Sequence, residues 1–309
     1  MYQVFYRLKA DPFRLSPDHA FCYRYPSFSK GRAYMQYALN AAEGFVVITG
    51  RPGMGKTTLI NDLLADFGPS DYLVATLVTT LLDGTDLLRT VAYEFGINVE
   101  NIDKATMLQR LKQLFVRARQ GGRPPLLVVD EAQNLSLQAL EELRLLTNLQ
   151  LNGKPLLQIF LVGQDNLRDK LADPSLEQLR QRITAATHLE SLNQEQTAAY
   201  IVHRMRVVGW DHHPQLKSSI LPVIQRTCEG VPRRINQFCS RLLLYGSVEE
   251  KDVLDGEDAR LVAVELGEER LSAVDAARNT SELGEFGLLG DDGEDGPITA
   301  RAEPLLREH

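Results

Sequence analysis

One stretch limits the folding options of this chain more than any other. Gly50-Arg51-Pro52-Gly53-Met54-Gly55-Lys56-Thr57 fits the pattern G-x-x-x-x-G-K-[ST]. The apolar run Phe45 to Thr49 precedes it, and a helical pattern over residues 56–67 follows, stopped by Gly68-Pro69. In such a strand, loop and helix, consecutive backbone N–H groups turn toward phosphate oxygens and the helix N-terminus adds partial positive charge. The loop residues Gly50, Arg51, Pro52, Gly53, Met54 and Gly55 would wrap the phosphates. Lys56 would reach the β- and γ-phosphates, Thr57 would place its hydroxyl on Mg²⁺, and Thr58 would sit close to the α-phosphate.

Further groups lie downstream in an order that suits phosphate chemistry. The apolar strand Leu126 to Val129 runs into Asp130-Glu131, and open α/β sheets bind ligands at the C-terminal ends of their strands. There Asp130 would hold Mg²⁺ through its water shell, and Glu131 would orient and polarise water for attack on the γ-phosphate. Gln164 follows another apolar strand, Leu156 to Val162. It could bond the γ-phosphate or the attacking water if that strand lies between the phosphate-loop strand and the acidic strand. Arg180 and Arg182 could project toward a neighbouring subunit's nucleotide. Pro232 suits the first turn of a helix and fixes Arg233 near its N-terminus, from where it could cross an interdomain cleft to the phosphates.

Strand patterns at residues 45–49, 72–78, 126–129, 156–162 and 184–189 alternate with helical ones. That alternation predicts a mostly parallel five-stranded sheet covered by helices on both faces. After Leu192 helical patterns dominate and imply a small helical domain. The chain start is rich in aromatics and prolines (Phe5, Tyr6, Pro12, Phe13, Phe21, Tyr23), as in an extended segment lying on a core. Beyond about Arg270, glycines punctuate an acidic stretch. Residues 280–309 hold 8 acidic and 2 basic side chains, which accounts for −6 of the net charge of −7. This stretch reads as a flexible tail, and the near-neutral remainder gives no global argument for nucleic-acid binding. The expected division is a linker and first helix over 1–40, a core over 41–191, a helical lid over 192–267 and the acidic tail over 268–309. Three scattered cysteines lack metal-ligand spacing and argue against a disulfide framework. No apolar run approaches the roughly 18 residues of a spanning helix, and no signal peptide is visible, so a cytoplasmic location is expected.

Taken in order, these groups resemble the Walker A, Walker B, sensor 1 and sensor 2 motifs of the AAA+ ATPases. Met1-Tyr2 with Phe5-Tyr6, Pro12-Phe13, Leu15, Pro17-Asp18 and Phe21 look like the start of secretion ATPases of the general secretion pathway protein A type. Asp130-Glu131-Ala132-Gln133-Asn134-Leu135, Leu143-Arg144-Leu145-Leu146 with Asn148, and Gly163-Gln164 carry the same likeness. The short form, without a membrane helix, is similar to the ATPases of exosortase (PEP-CTERM) and exopolysaccharide loci. The resemblance implies an AAA+ P-loop NTPase fold and ATP with Mg²⁺ as ligands. It also implies Lys56, Glu131, Gln164, Arg182 and Arg233 as catalytic groups, with Arg182 acting across subunits. It further implies a homo-oligomer working with inner-membrane secretion or polysaccharide export components, peripheral to that membrane. The family tends to have a histidine where this chain has Ser29-Lys30-Gly31, and Arg51-Pro52 fills the loop unusually. Transposon-associated DNA-binding ATPases share the core, and a nucleotide-binding scaffold with negligible hydrolysis is a further alternative.

Overall fold

The computed structural model describes residues 2–15, 19–41, 44–68, 71–78, 84–275 and 295–306. The chain forms two compact units. One is Pro26–Glu190; the other combines Met1–Tyr25 with Ser191–His309.

The first unit is built on a five-stranded sheet of β1 (Phe45–Gly50), β2 (Leu73–Val78), β3 (Pro125–Asp130), β4 (Gln158–Gly163) and β5 (Ile183–Leu189). Its order is β2-β3-β4-β1-β5, and every pairing is parallel. β1 and β4 are buried along their whole length, whereas the edge strand β2 alternates buried and exposed residues and β5 is half-buried or exposed up to Leu189. A parallel strand covered on both faces needs this continuous apolar run. Val47, Leu127, Val129, Ile159 and Leu161 share a core with α3 (Gly84–Glu94), α4 (Lys104–Gln120) and α5 (Leu137–Leu146). The opposite face packs against α1 (Pro26–Ala41) and α2 (Lys56–Leu64). Gly31 of α1 lies so near β5 that a Cβ there would stand 3.1 Å from Thr187 Oγ1, which gives the unusual Ser-Lys-Gly segment a packing reason. Arg32 Nε of α1 donates to the buried carboxylate of Asp62 in α2 at 2.8 Å.

The second unit contains α6 (Gln194–Val207), α7 (Ile220–Cys228), α8 (Pro232–Val248) and α9 (Gly256–Asp275), with a two-residue parallel ladder joining Gln215–Leu216 to Val253–Leu254. A full capping box at Asn193 and Gln196 starts α6. The expected linker and first helix over 1–40 divides: α1 belongs to the sheet unit, while residues 2–15 and 19–25 pack with the helices. Tyr6, Phe13, Phe21, Tyr23 and Tyr25 are buried there. Arg204 of α6 ties this segment down, donating to Pro12 O at 2.5 Å, Arg14 O at 3.1 Å and Tyr200 Oη at 3.0 Å.

The flexible tail expected over 268–309 is corrected at its C-terminal end. α9 continues through Asp275, and Ile298–Leu306 forms α10, packed on α6 with Ile298 and Ala302 buried. Ser219 holds the start of this segment, its N–H and Oγ donating to the Asp295 carboxylate at 3.0 and 2.9 Å, and Arg206 pairs with Glu303. A short apolar stripe inside an acidic composition supplies the docking face. Residues 276–294 and 307–309, the rest of that expectation, lie outside the described residues. No helix among the described residues is long and apolar enough to cross a membrane.

Candidate nucleotide-binding site

The glycine-rich loop leaves β1 at the C-terminal edge of the sheet. Gly53 and Gly55 adopt φ of 83° and 88°, left-handed values that a side chain would strain. No side chain caps α2, so the amide groups of its first turn face the loop. Met54 is buried and anchors the loop from below, whereas Thr57 is exposed. The Lys56 ammonium, buried with its stem, donates to Gly50 O at 2.8 Å and Arg51 O at 3.2 Å. Burial pushes its pKa below the ordinary lysine range, while the carboxylates of Glu131, Asp130 and Asp165 pull it back up.

β3 delivers the acidic pair to the same edge. Thr57 Oγ1 donates to Asp130 Oδ2 at 3.0 Å, so a hydroxyl and a carboxylate 73 residues apart converge at the start of α2. Such an oxygen pair beside phosphate-directed amides fits Mg²⁺, a hard cation that takes few protein oxygens and completes its shell with phosphate and water. Glu131 sits at φ 52°, and its amide donates to Asp130 Oδ1 at 2.9 Å. This left-handed step turns the Glu131 side chain away from the strand direction.

β4 lies between β3 and β1, the arrangement that the reading of Gln164 requires. Gln164 Nε2 donates to Glu131 Oε2 at 3.2 Å. Local motif reading missed two neighbours. Gln133 Nε2 donates to the same Glu131 oxygen at 2.5 Å. On β5, His188 Nδ1 stands 3.1 Å from Thr49 Oγ1 and 3.8 Å from Asp165 Oδ1, placed there only by the register with β1.

The two candidate trans arginines occupy the opposite edge of the sheet. Arg182 immediately precedes β5, its carbonyl accepts from Phe45 N at 2.8 Å, and its Nη1 donates to the buried Thr147 at 2.6 Å. It lines a cleft of about 310 Å³ together with Gln150, Gln181 and Thr184. Arg180 instead donates to the carbonyls of Leu171 and Asp173 at 2.8 and 2.5 Å. Arg233 is exposed in the first turn of α8, in the helical unit.

The sheet order and its loop edge identify the architecture. The fold is that of an AAA+ P-loop NTPase. Residues 39–171 match the family model described as an AAA domain. Over 267 residues the chain is 34% identical to general secretion pathway protein A of Aeromonas hydrophila, which covers 86% of this chain and 48% of that protein. The chain thus spans about half the length of this relative. Among solved structures it resembles Cdc6p of Pyrobaculum aerophilum, at a TM-score of 0.60 and 16% identity over 81% of this chain and 71% of that one. The ORC2 protein of Aeropyrum pernix, in ADPNP-ADP complexes, gives 0.57 and 17% over 81% and 72%. The Thermotoga maritima RuvB branch migration motor gives 0.51 and 16% over 78% and 68%. At these identities the structural likeness speaks for the fold alone.

Proposed function

We propose that the protein is a Mg²⁺-dependent ATPase that binds ATP at the loop edge of the sheet and hydrolyses it to ADP and phosphate. The observation that carries this reading is the convergence of Thr57 and Asp130 at 3.0 Å, beside the loop that holds the Lys56 ammonium. Residues 50–58 wrap the phosphates, and Lys56 exchanges its two loop carbonyls for phosphate oxygens. Thr57 and Asp130 would hold Mg²⁺, which would neutralise phosphate charge there. Glu131 orients the attacking water, and Gln164 bonds that water or the γ-phosphate. A phosphate-contacting role for Arg233 draws on the sequence resemblance alone.

Arg182 acts in trans on this reading. It sits at the N-terminal end of the seven-residue β5, while the loop leaves the C-terminal end of β1 beside it. At about 3.3 Å per residue the two lie roughly 20 Å apart. Its own nucleotide is therefore out of reach, and a homo-oligomer gives it a target. A secretion role draws on the 34% identity to general secretion pathway protein A, and the exosortase-associated or exopolysaccharide setting draws on the sequence resemblance. The partners on that reading are inner-membrane export components, and the protein works in the cytoplasm, peripheral to the membrane.

ATP turnover by the purified chain tests the reading. Mg²⁺-dependent phosphate release that disappears in Lys56→Ala supports it. Tight ATP binding with no release in the wild type would leave the scaffold alternative standing.

A further inference from the structure

Beneath the acidic pair the chain forms a closed hydrogen-bonded ring that the proposed chemistry does not by itself require. After Glu131, the single 3₁₀ turn Ala132–Asn134 brings the next side chain but one back beneath the carboxylate. That residue, Gln133, is 7% exposed and uses both ends of its amide. Its Nε2 donates to Glu131 Oε2 at 2.5 Å, and its Oε1 accepts the backbone N–H of Gln164 at 3.0 Å. Gln164 Nε2 closes the ring on the same carboxylate oxygen at 3.2 Å. Two further features keep Gln133 in place. Lys170 donates to the carbonyls of Gln133 and Leu135, the latter at 2.7 Å, which pins the turn from the short helix Asn166–Leu171. Gly163 leaves the space that the amide fills, because a Cβ there would stand 2.7 Å from Gln133 Oε1.

From this geometry we infer that Gln133 is the positioning residue of the hydrolytic site, fixing the Glu131 carboxylate and tying it to the segment that carries Gln164. The inference rests on the ATPase reading above. Glu131 leaves β3 in a left-handed conformation, and a lone glutamate there has several rotamers open to it. Two amide donors on Oε2 restrict the orientation of the carboxylate. A near-attack geometry demands such fixation, since misplacement by about 1 Å can cost about a hundredfold in rate. Because the same amide accepts from Gln164 N, a shift of the segment after β4 moves Glu131 with it. The general base and the candidate γ-phosphate contact then respond to the nucleotide as one unit.

Gln133→Met keeps the volume and removes both polar ends. In the full-length chain it is expected to lower kcat about tenfold or more while the Kd for ATP stays within about twofold. Gly163→Ala, which displaces the amide without touching it chemically, is expected to reproduce the loss. Added to Glu131→Gln, Gln133→Met should cause no further fall in turnover, because a residue that acts through Glu131 has nothing left to position. A role confined to packing would instead weaken ATP binding and lower turnover in both backgrounds. Wild-type or raised kcat in Gln133→Met, or an additive loss in the double variant, overturns the inference while leaving the ATPase reading intact. Absence of turnover in the wild type would show at the first measurement and would remove both.

Discussion

The two units solve the same problem, fixing polar groups in place, by opposite routes. In Pro26–Glu190 the chemistry-bearing side chains sit where strands end, so Lys56, Asp130, Glu131 and Gln164 meet because β1, β3 and β4 are neighbours in one parallel sheet. In the helical unit the fixed groups come from distant parts of the chain. Arg204 reaches back 192 residues to Pro12 O, and Ser219 reaches forward 76 residues to Asp295. The sheet unit leaves its polar edge open to a ligand. The helical unit ties buried polar groups to one another: Tyr200 donates to Asn236 at 2.7 Å and in turn accepts from Arg204. The difference teaches that substitutions in the first should be read out in chemistry, and substitutions in the second in stability.

The sharpest break is expected at the loop edge. Lys56→Ala should abolish ATP binding, and Glu131→Gln should bind ATP yet turn it over at least about a hundredfold more slowly, with melting temperature little changed. Phosphate release and equilibrium binding on the same preparations check this. The mirror case is Arg204→Leu in the helical unit. It strands the Pro12 and Arg14 carbonyls inside the protein and should cost about 2–3 kcal/mol, measured by urea unfolding.

At the far edge of the sheet, Arg182→Ala should lower turnover at high protein concentration, yet leave ATP affinity in the isolated subunit unchanged. Mixing it with Glu131→Gln should restore part of the activity if each completes the other's site, whereas turnover independent of concentration would mark a site complete in one chain. In the helical unit, removing residues 295–309 strips α10 from α6. Composition read this stretch as part of a flexible tail; the docked face of Ile298 and Ala302 instead predicts a loss of about 2 kcal/mol with ATP binding retained. Smallest of all, Asn193→Ala removes the cap of α6 and should cost about 1 kcal/mol.

The legibility of the site followed the same division. The phosphate loop and the Asp130-Glu131 pair could be read because each is a local pattern on one element, with its chemistry written in consecutive residues. The central strands β1, β3 and β4 were visible because buried parallel strands are continuous apolar runs. Gln133 lay inside a stretch already quoted for its resemblance, yet its contact with Glu131 depends on a 3₁₀ turn and a left-handed residue that propensity does not foretell. His188 was invisible in principle, since only the register of β5 on β1 sets it beside Thr49.

The aromatic chain start announced that it needed a partner surface, but no local pattern named the helical unit as that surface. The sequence by itself determined the parallel sheet, the glycine-rich loop and the identity of the groups at its edge, because each rests on short-range periodicity or on residues a few positions apart. Only the tertiary structure decided that residues 2–15 and 19–25 join the helices, that Ile298–Leu306 docks on α6, and that Gln133 binds both Glu131 and Gln164. Those choices turn on which apolar face finds which, and on hydrogen bonds between residues far apart in the chain. Composition and spacing carry no record of either.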